Sequence, residues 1–552
     1  MARNTTTYIG SLSSSFRFIS IAFVALFYLI SVAYIYFAGP DKSKLDPEAK
    51  IITVAHWNLE DGYREGLEEL INRFEQLKAG QGQKVKVIQT TVPERGYLQW
   101  FMTQLIGGAP ADILQLHGHQ WVYKEYIYPL SEYVGKENPF NRDTPLEGMS
   151  WKDSFVDGML ASAHLTAQYA DYFCVGTCFH VYRLFVNLDL LEETTGSRKM
   201  PEYLAEWLEI CEKVKEYAQK TKKIIIPIGI HSVQKSPINY FLDFYFSQVA
   251  GDLTDNVARF CTSNPDIDEA LERIFNDPNF AEQLLAPVGI VKELGQYFCE
   301  GFSTMDAEQS KFLFYSGKTV FYPEFSVFGY SIVNNCPFEV GIIPVPSIGY
   351  NHKYSKYFTG KVAEHAASDL MYGIPKATKH FDLALEFLQF MTSYEGNQLL
   401  MGSCKWPPAV KKAKFEGILK SFRPEKGQHL RVIGLPWRTQ LYVASDMKMR
   451  ATLEDTITKN IDNPTEFFME RFRQRKNLLI SECAEIEQEH YRANMERELQ
   501  RLQFSVGLLS KNRSDKEMET LRMQSKAIAE SYPEVVRRYI VYLNYIDQVK
   551  KM

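Results

Sequence analysis

Apolar and polar positions follow two interleaved periods through most of the chain. Residues 51–55 form an apolar, β-branched-rich run that predicts a strand. Over 63–77, Leu67, Leu70, Ile71, Phe74 and Leu77 recur at helical spacing with charges between them, and Gly80 and Gly82 end the helix. Residues 85–88 predict a second strand and 97–106 a second amphipathic helix. Then comes GGAPADIL, residues 107–114: Gly107, Gly108 and Pro110 stop the helix, and Ile113 and Leu114 open a buried strand over 113–116. This β-α-β-α-β order implies a parallel, doubly wound sheet.

The alternation returns further along. Strands are predicted over 183–186, 223–230, 319–322 and 340–343, and helices over 201–217, 241–249 and 381–391. From about residue 465 the chain is dense in Glu, Arg, Lys, Gln and Met, has no strand signal, and reads as long helices divided by a loop over 510–515.

With 552 residues, two or more lobes are expected. Hydrophobic content of 45% and charged content of 23% are those of a globular protein with ample core material. A net charge of -5 gives no electrostatic footprint for nucleic acid. The eight cysteines are scattered and complete no zinc site, so buried free thiols are expected, with one or two disulfides as the alternative.

Residues 18–38 carry no charge, and a run of about 21 residues is long enough to span a bilayer. Arg3 and Arg17 precede it without acids, which keeps the N-terminus in the cytoplasm. Tyr36-Phe37-Ala38 puts a bulky residue where a cleavage site wants a small one, so the segment reads as an uncleaved signal anchor, with a cleaved signal peptide as the alternative. Residues 39–50, polar with two prolines, read as a tether.

Taken in order, several segments resemble the extracellular solute-binding proteins of ABC importers, in the carbohydrate branch that includes maltose-binding proteins. ITVAHWNLEDGYREGLEELINRFEQ is similar to that family's first strand, ligand loop and helix; KVKVI to its second strand; GGAPADIL to its turn into the third strand; YIYPLSEYV to the segment that follows. YRLFVNLDLL, FYSGKTVFYPEFSVF, VGIIPVPSIG and GIPKATKHFDLALEFLQFMTSYEGNQLL continue the match over roughly residues 50 to 475. Departures are Val186-Asn187 for a tyrosine–asparagine pair, Glu324 and Phe325 for a glycine–tryptophan pair, and the helical tail.

The resemblance implies an α/β, two-lobed periplasmic-binding-protein (Venus-flytrap) fold with an N-terminal transmembrane helix and a C-terminal helical extension. The expected division is a cytoplasmic N-terminus (1–17), the signal anchor (18–38), the tether (39–50), lobe 1 (51–172 and 349–402), lobe 2 (173–348 and 403–475) and the extension (476–552). Ligands of open α/β sheets bind beyond the carboxyl ends of the strands.

Candidate ligand contacts follow. After the first strand, Trp57 offers a flat apolar face, and Asn58, Glu60 and Asp61 can bond hydroxyls; the alternative is that Trp57 packs in the core and the acids open the next helix. The resemblance places His119 and Trp121 after the third strand, Tyr172 and His180 near the first crossing, Glu324 and Phe325 at the later cleft segment, and Trp406, Trp437 and Tyr442 where the second lobe supplies a stacking aromatic; core or hinge packing is the alternative for each. His117-Gly118-His119 lacks a third metal ligand at a recognisable spacing. Ser316-Gly317-Lys318-Thr319 lacks the earlier glycine of a phosphate-binding loop. No catalytic residue, metal or cofactor is expected.

The implied function is capture of a carbohydrate, with an oligosaccharide the expected form, by a protein of the cytoplasmic membrane whose main domain lies outside the cytoplasm, for delivery to ABC permease subunits. The alternative is a ligand sensor or scaffold that signals through the helical tail; an enzyme is not expected.

Overall fold

The computed structural model describes residues 46–59, 62–117, 120–159, 165–166, 171–232, 237–249, 278–360, 362, 366–423, 455–457, 459, 461 and 463–474. The expected membrane segment 18–38, most of the tether, and the extension 476–552 lie outside them. Among the described residues no helix is long and apolar enough to cross a membrane.

The first lobe opens with β1 (Lys50–His56), α1 (Tyr63–Gly80), β2 (Val85–Thr91), α2 (Glu94–Ile106) and β3 (Ile113–Gln115), followed by α3 (Gln120–Tyr126), α4 (Ser131–Val134) and a small hairpin of β4 (Leu165–Thr166) and β5 (Asp171–Tyr172). One long strand, β6 (Val175–Asn187), leads into the second lobe: α5 (Leu188–Thr195), α6 (Leu204–Thr221), β7 (Ile226–Ile228), α7 (Pro237–Val249), α8 (Pro278–Gly295), α9 (Ala307–Tyr315), β8 (Thr319–Phe325), α10 (Gly329–Asn335) and β9 (Val340–Pro344). Strand β10 (Ala366–Gly373) returns to the first lobe with α11 (Phe381–Met391) and α12 (Tyr394–Cys404), and α13 (Pro464–Arg473) packs on α8.

The strands run β2-β1-β3-β10-β6-β8-β7, with β9 on β6. β2, β1 and β3 are parallel, as are β7 and β8. β10 is antiparallel to both β3 and β6, and β6 is antiparallel to β8 and β9. The parallel order expected of the first three strands is present, and the sheet as a whole is mixed. Apolar periodicity identifies strands but carries no information on their direction, and a strand that passes between lobes meets neighbours running the other way.

The amphipathic pattern of α1 buries Tyr63, Leu67, Leu70, Ile71 and Phe74 in the first core. Gly62 precedes it at φ 84, and a Cβ there would sit 2.6 Å from the Ser403 carbonyl oxygen, so only glycine fits this approach to α12. The GGAPADIL turn does structural work. Its Asp112 carboxylate accepts hydrogen bonds from the Thr53 amide (2.9 Å) and hydroxyl (3.0 Å), and also from the Thr378 hydroxyl. It thereby buckles β1, β3 and the entry to α11 together.

The second core gathers Trp207, Phe241, Phe321 and Leu184 on one face of the lobe 2 sheet, and Phe314, Tyr322 and Phe422 on the other. Tyr354 still belongs to the second core, while Cys404, Trp406 and Ala409 belong to the first. Cys174, Cys178, Cys211, Cys299, Cys336 and Cys404 form no disulfide among the described residues.

His56, at the end of β1, is fully buried, with its Nε2 3.4 Å from both Gln89 Oε1 and Thr91 Oγ1. Burial lowers its pKa from 6.5 to about 4 despite the Gln89 contact, and the nearby Arg64 charge acts in the same direction. Between those values the unfolded chain binds a proton that the folded chain refuses, so stability falls as pH drops from about 6.5 to 4, by about 3 kcal/mol for this group. Urea unfolding of wild type and His56→Asn across that range should show the steeper acid loss in wild type; parallel curves would contradict it.

Candidate functional site

The carboxyl ends of β1 and β3 point along the sheet toward the second lobe. Trp57 and Asn58 follow β1, and His117 follows β3. The Trp57 ring packs edge-on to Tyr97 (4.7 Å) and His117 (5.3 Å). One buried side chain organises this lip: Gln115 Oε1 accepts from the Trp57 amide (3.2 Å) and from Asn58 Nδ2 (3.1 Å). Its Nε2 and the buried Nδ1 of His117 have no partner among the described residues. Asn58 is buried, so its amide serves the loop first.

The floor between the lobes is β6. Side chains alternate along a strand, so Cys178, His180 and Tyr182 share one face. Cys178 sits in the first core and Tyr182 at the edge of the second, which leaves the half-buried His180 at the junction. Beside it three rings converge: Tyr182 to Phe325 (5.0 Å), Tyr182 to Tyr240 (4.9 Å) and Tyr240 to Phe325 (4.9 Å), with His180 5.9 Å from Phe325. β8 contributes Phe325 from its carboxyl end, and the first turn of α7 contributes Tyr240.

Tyr182 and Tyr240 were absent from the sequence candidates. The signal for Tyr240 was Pro237, the residue type that favours the first helical position; it starts α7 early enough to put Tyr240 in the first turn. Tyr182 carried no local signal, because its place follows from pairing with β8.

The other candidates have distinct places. Glu324 points to the face opposite Phe325, where its carboxylate accepts from the Tyr322 hydroxyl (3.0 Å) and the Phe325 amide (2.9 Å). Burial raises its pKa above the usual carboxylate value, although those hydrogen bonds oppose the shift. Tyr172 lies on β5 against the first core, and its carbonyl accepts from the Leu130 amide (2.6 Å). Trp406 is 3% exposed, stacks on Tyr63 at 5.4 Å, and donates its indole N–H to the Val327 carbonyl (2.9 Å). Val327 follows Phe325 by two residues and packs against the first core, so Trp406 joins the lobes beneath the ring cluster. Of Trp121 only the backbone, in α3, is described. Glu60, Asp61, His119, Trp437 and Tyr442 lie outside the described residues.

Each lobe thus carries an aromatic group of its own, one at the carboxyl ends of β1 and β3 and one beside β6 and β8. The sequence profile of the bacterial extracellular solute-binding proteins matches residues 59–398. The chain belongs to that family. Solved structures share the fold of this solute-binding protein at low identity. Apo RafE from Streptococcus pneumoniae has a TM-score of 0.54 at 17% identity, covering 78% of this chain and 99% of that one. A chitin oligosaccharide binding protein gives 0.52 at 14%, covering 78% and 99%. Maltose-bound MalE3 of T. maritima gives 0.51 at 16%, also covering 78% and 99%. No curated protein sequence matches significantly.

Trp406→Phe in this solute-binding protein keeps a ring against Tyr63 but strands the Val327 carbonyl. It should lower unfolding free energy by about 1–2 kcal/mol in urea with an unchanged m-value. An unchanged midpoint would mean that the indole–carbonyl bond carries no stability.

Proposed function

We propose that this chain captures a carbohydrate, in oligosaccharide form, by closure of its two lobes, and delivers it to the permease of an ABC importer while anchored in the membrane by residues 18–38. The observation that carries this reading is the convergence of Tyr182, Tyr240 and Phe325 beside His180 on the crossing strand, with Trp57 and His117 on the lip of the other lobe. Aromatic faces suit the C–H surface of a sugar ring, and imidazole and amide groups suit its hydroxyls.

Closure follows when the ligand touches both surfaces, because it then binds the closed form more tightly than the open one. The family supports an extracytoplasmic binding role. Neighbours of the same fold include RafE in complex with raffinose and maltose-bound MalE3, which supports the sugar class. A single uncharged N-terminal run supports the anchor, and tethering would raise the local concentration of binding protein around the permease.

The test is a thermal-shift screen against neutral oligosaccharides, with polyols and peptides alongside. A sugar at 100 times its Kd should stabilise by about 2.7 kcal/mol. Trp57→Ala and Phe325→Ala should each abolish the shift while leaving the fold cooperative. Shifts from peptides or polyols and none from sugars would overturn the carbohydrate reading.

A further inference from the structure

A cavity of about 690 Å³ lies in the second lobe between α6, α8, the loop after α8 and the segment 457–461. It shares no residue with the ring cluster beside β6 or with the lip at Trp57 and His117. Glycine spacing on α8 builds it. Gly289, Lys292 and Gly295 recur every three residues and so are neighbours on one helix face. A Cβ on Gly289 would sit 1.9 Å from the Tyr354 hydroxyl oxygen, and one on Gly295 2.5 Å from Ile457 Cγ2. The two glycines thus let Tyr354 and Ile457 close on α8 at positions that flank Lys292. The Lys292 ammonium then donates to the Ile457 carbonyl (2.9 Å) and to the Lys459 carbonyl.

Both of those acceptors are neutral. Among the described residues no carboxylate pairs with Lys292, and burial holds its pKa below the usual lysine value. An ammonium has three donors, so one remains for another acceptor. Lys215, on α6, also lines the cavity; it lies over the Tyr297 ring at 5.4 Å and likewise has no carboxylate partner among the described residues. The other lining lysines are compensated. Lys353 pairs with Glu293, which also bonds His352 Nε2 (2.7 Å), and Lys459 pairs with Asp455 (2.8 Å). Glu300 is the one lining carboxylate without an ion pair among the described residues, and it is exposed, so water screens it. Two uncompensated ammonium groups therefore set the sign of the wall. A neutral guest would leave both without a counter-charge, and a cation would be repelled.

We propose that this cavity binds a small oxyanion, a phosphate or carboxylate group, between Lys215 and Lys292. The anion takes the spare N–H of Lys292 and the ammonium of Lys215 as charge-assisted donors. The volume lies in the range of small-molecule sites, which leaves room for an organic group carrying the anion. The site stands whether or not the interlobe cleft takes sugar.

Calorimetric titration of the full-length protein with inorganic phosphate and, separately, with succinate tests it, at fixed ionic strength in chloride buffer. The two arms distinguish a phosphate guest from a carboxylate one. The expected result is a single saturable site for at least one of them. Lys292→Gln should abolish it. Lys215→Gln breaks none of the hydrogen bonds above and should weaken it about tenfold, the worth of one charge-assisted contact. Lys353→Gln, whose charge Glu293 already neutralises, should weaken it less than about twofold. No saturable heat from either anion overturns the proposal. So does binding that Lys215→Gln leaves unchanged, which puts the anion elsewhere, or equal weakening by Lys215→Gln and Lys353→Gln, which makes it a response to diffuse surface charge.

Discussion

The hydrogen-bond ladder of β6 is the constraint on which the two lobes depend. Its first half, from Val175 to Val181, pairs with β10 in the first lobe, and its second half, from Tyr182 to Asn187, pairs with β8 and β9 in the second. One continuous strand of 13 residues thus belongs to two cores, and the change of partner falls between Val181 and Tyr182. A strand cannot slip by one residue without turning every side chain to the wrong face. The same register that holds the cores also places His180 between them.

Other links across the junction join the lobes among the described residues. The Val181 amide donates to Ser326 Oγ (3.1 Å), and Trp406 reaches Val327. The chain after α12 lies along the back of β6: the Phe179 amide donates to the Pro407 carbonyl (2.9 Å), the Val156 amide to the Ala409 carbonyl (2.9 Å) and the Lys411 amide to the Ser154 carbonyl (2.8 Å). It then enters the second lobe, where Leu419 and Phe422 are buried and Arg183 grips the Ser421 and Arg423 carbonyls. If the lobes close as proposed, this strap and β6 are where they would turn.

Much of this was legible in the sequence, and unevenly so. Every strand read from β-branched runs exists, and α11 matches its expected span because its apolar face is nearly continuous. β6 is far longer than the predicted 183–186, since the earlier residues hold the strand through pairing with β10, which lies almost two hundred positions later. The predicted strand over 223–230 shrinks to Ile226–Ile228 for the complementary reason: only that part finds a parallel partner in β8. Local residue type identifies the lip, through Trp57 and the strand ends. It does not identify the floor, because Tyr182, Tyr240 and Phe325 meet only through long-range pairing. For the same reason Glu324 and Phe325, adjacent in sequence, serve opposite faces, and Trp406 joins the lobes from a buried position.

The central claim is that the lobes turn about β6 to close over a sugar. Paired spin labels on exposed helix positions, Glu68→Cys on α1 and Glu209→Cys on α6, read that motion directly by pulsed electron–electron distance measurement. The account predicts a shorter and narrower distance distribution when a bound oligosaccharide saturates the protein. An unchanged distribution at saturation, with binding confirmed in the same sample, would contradict it.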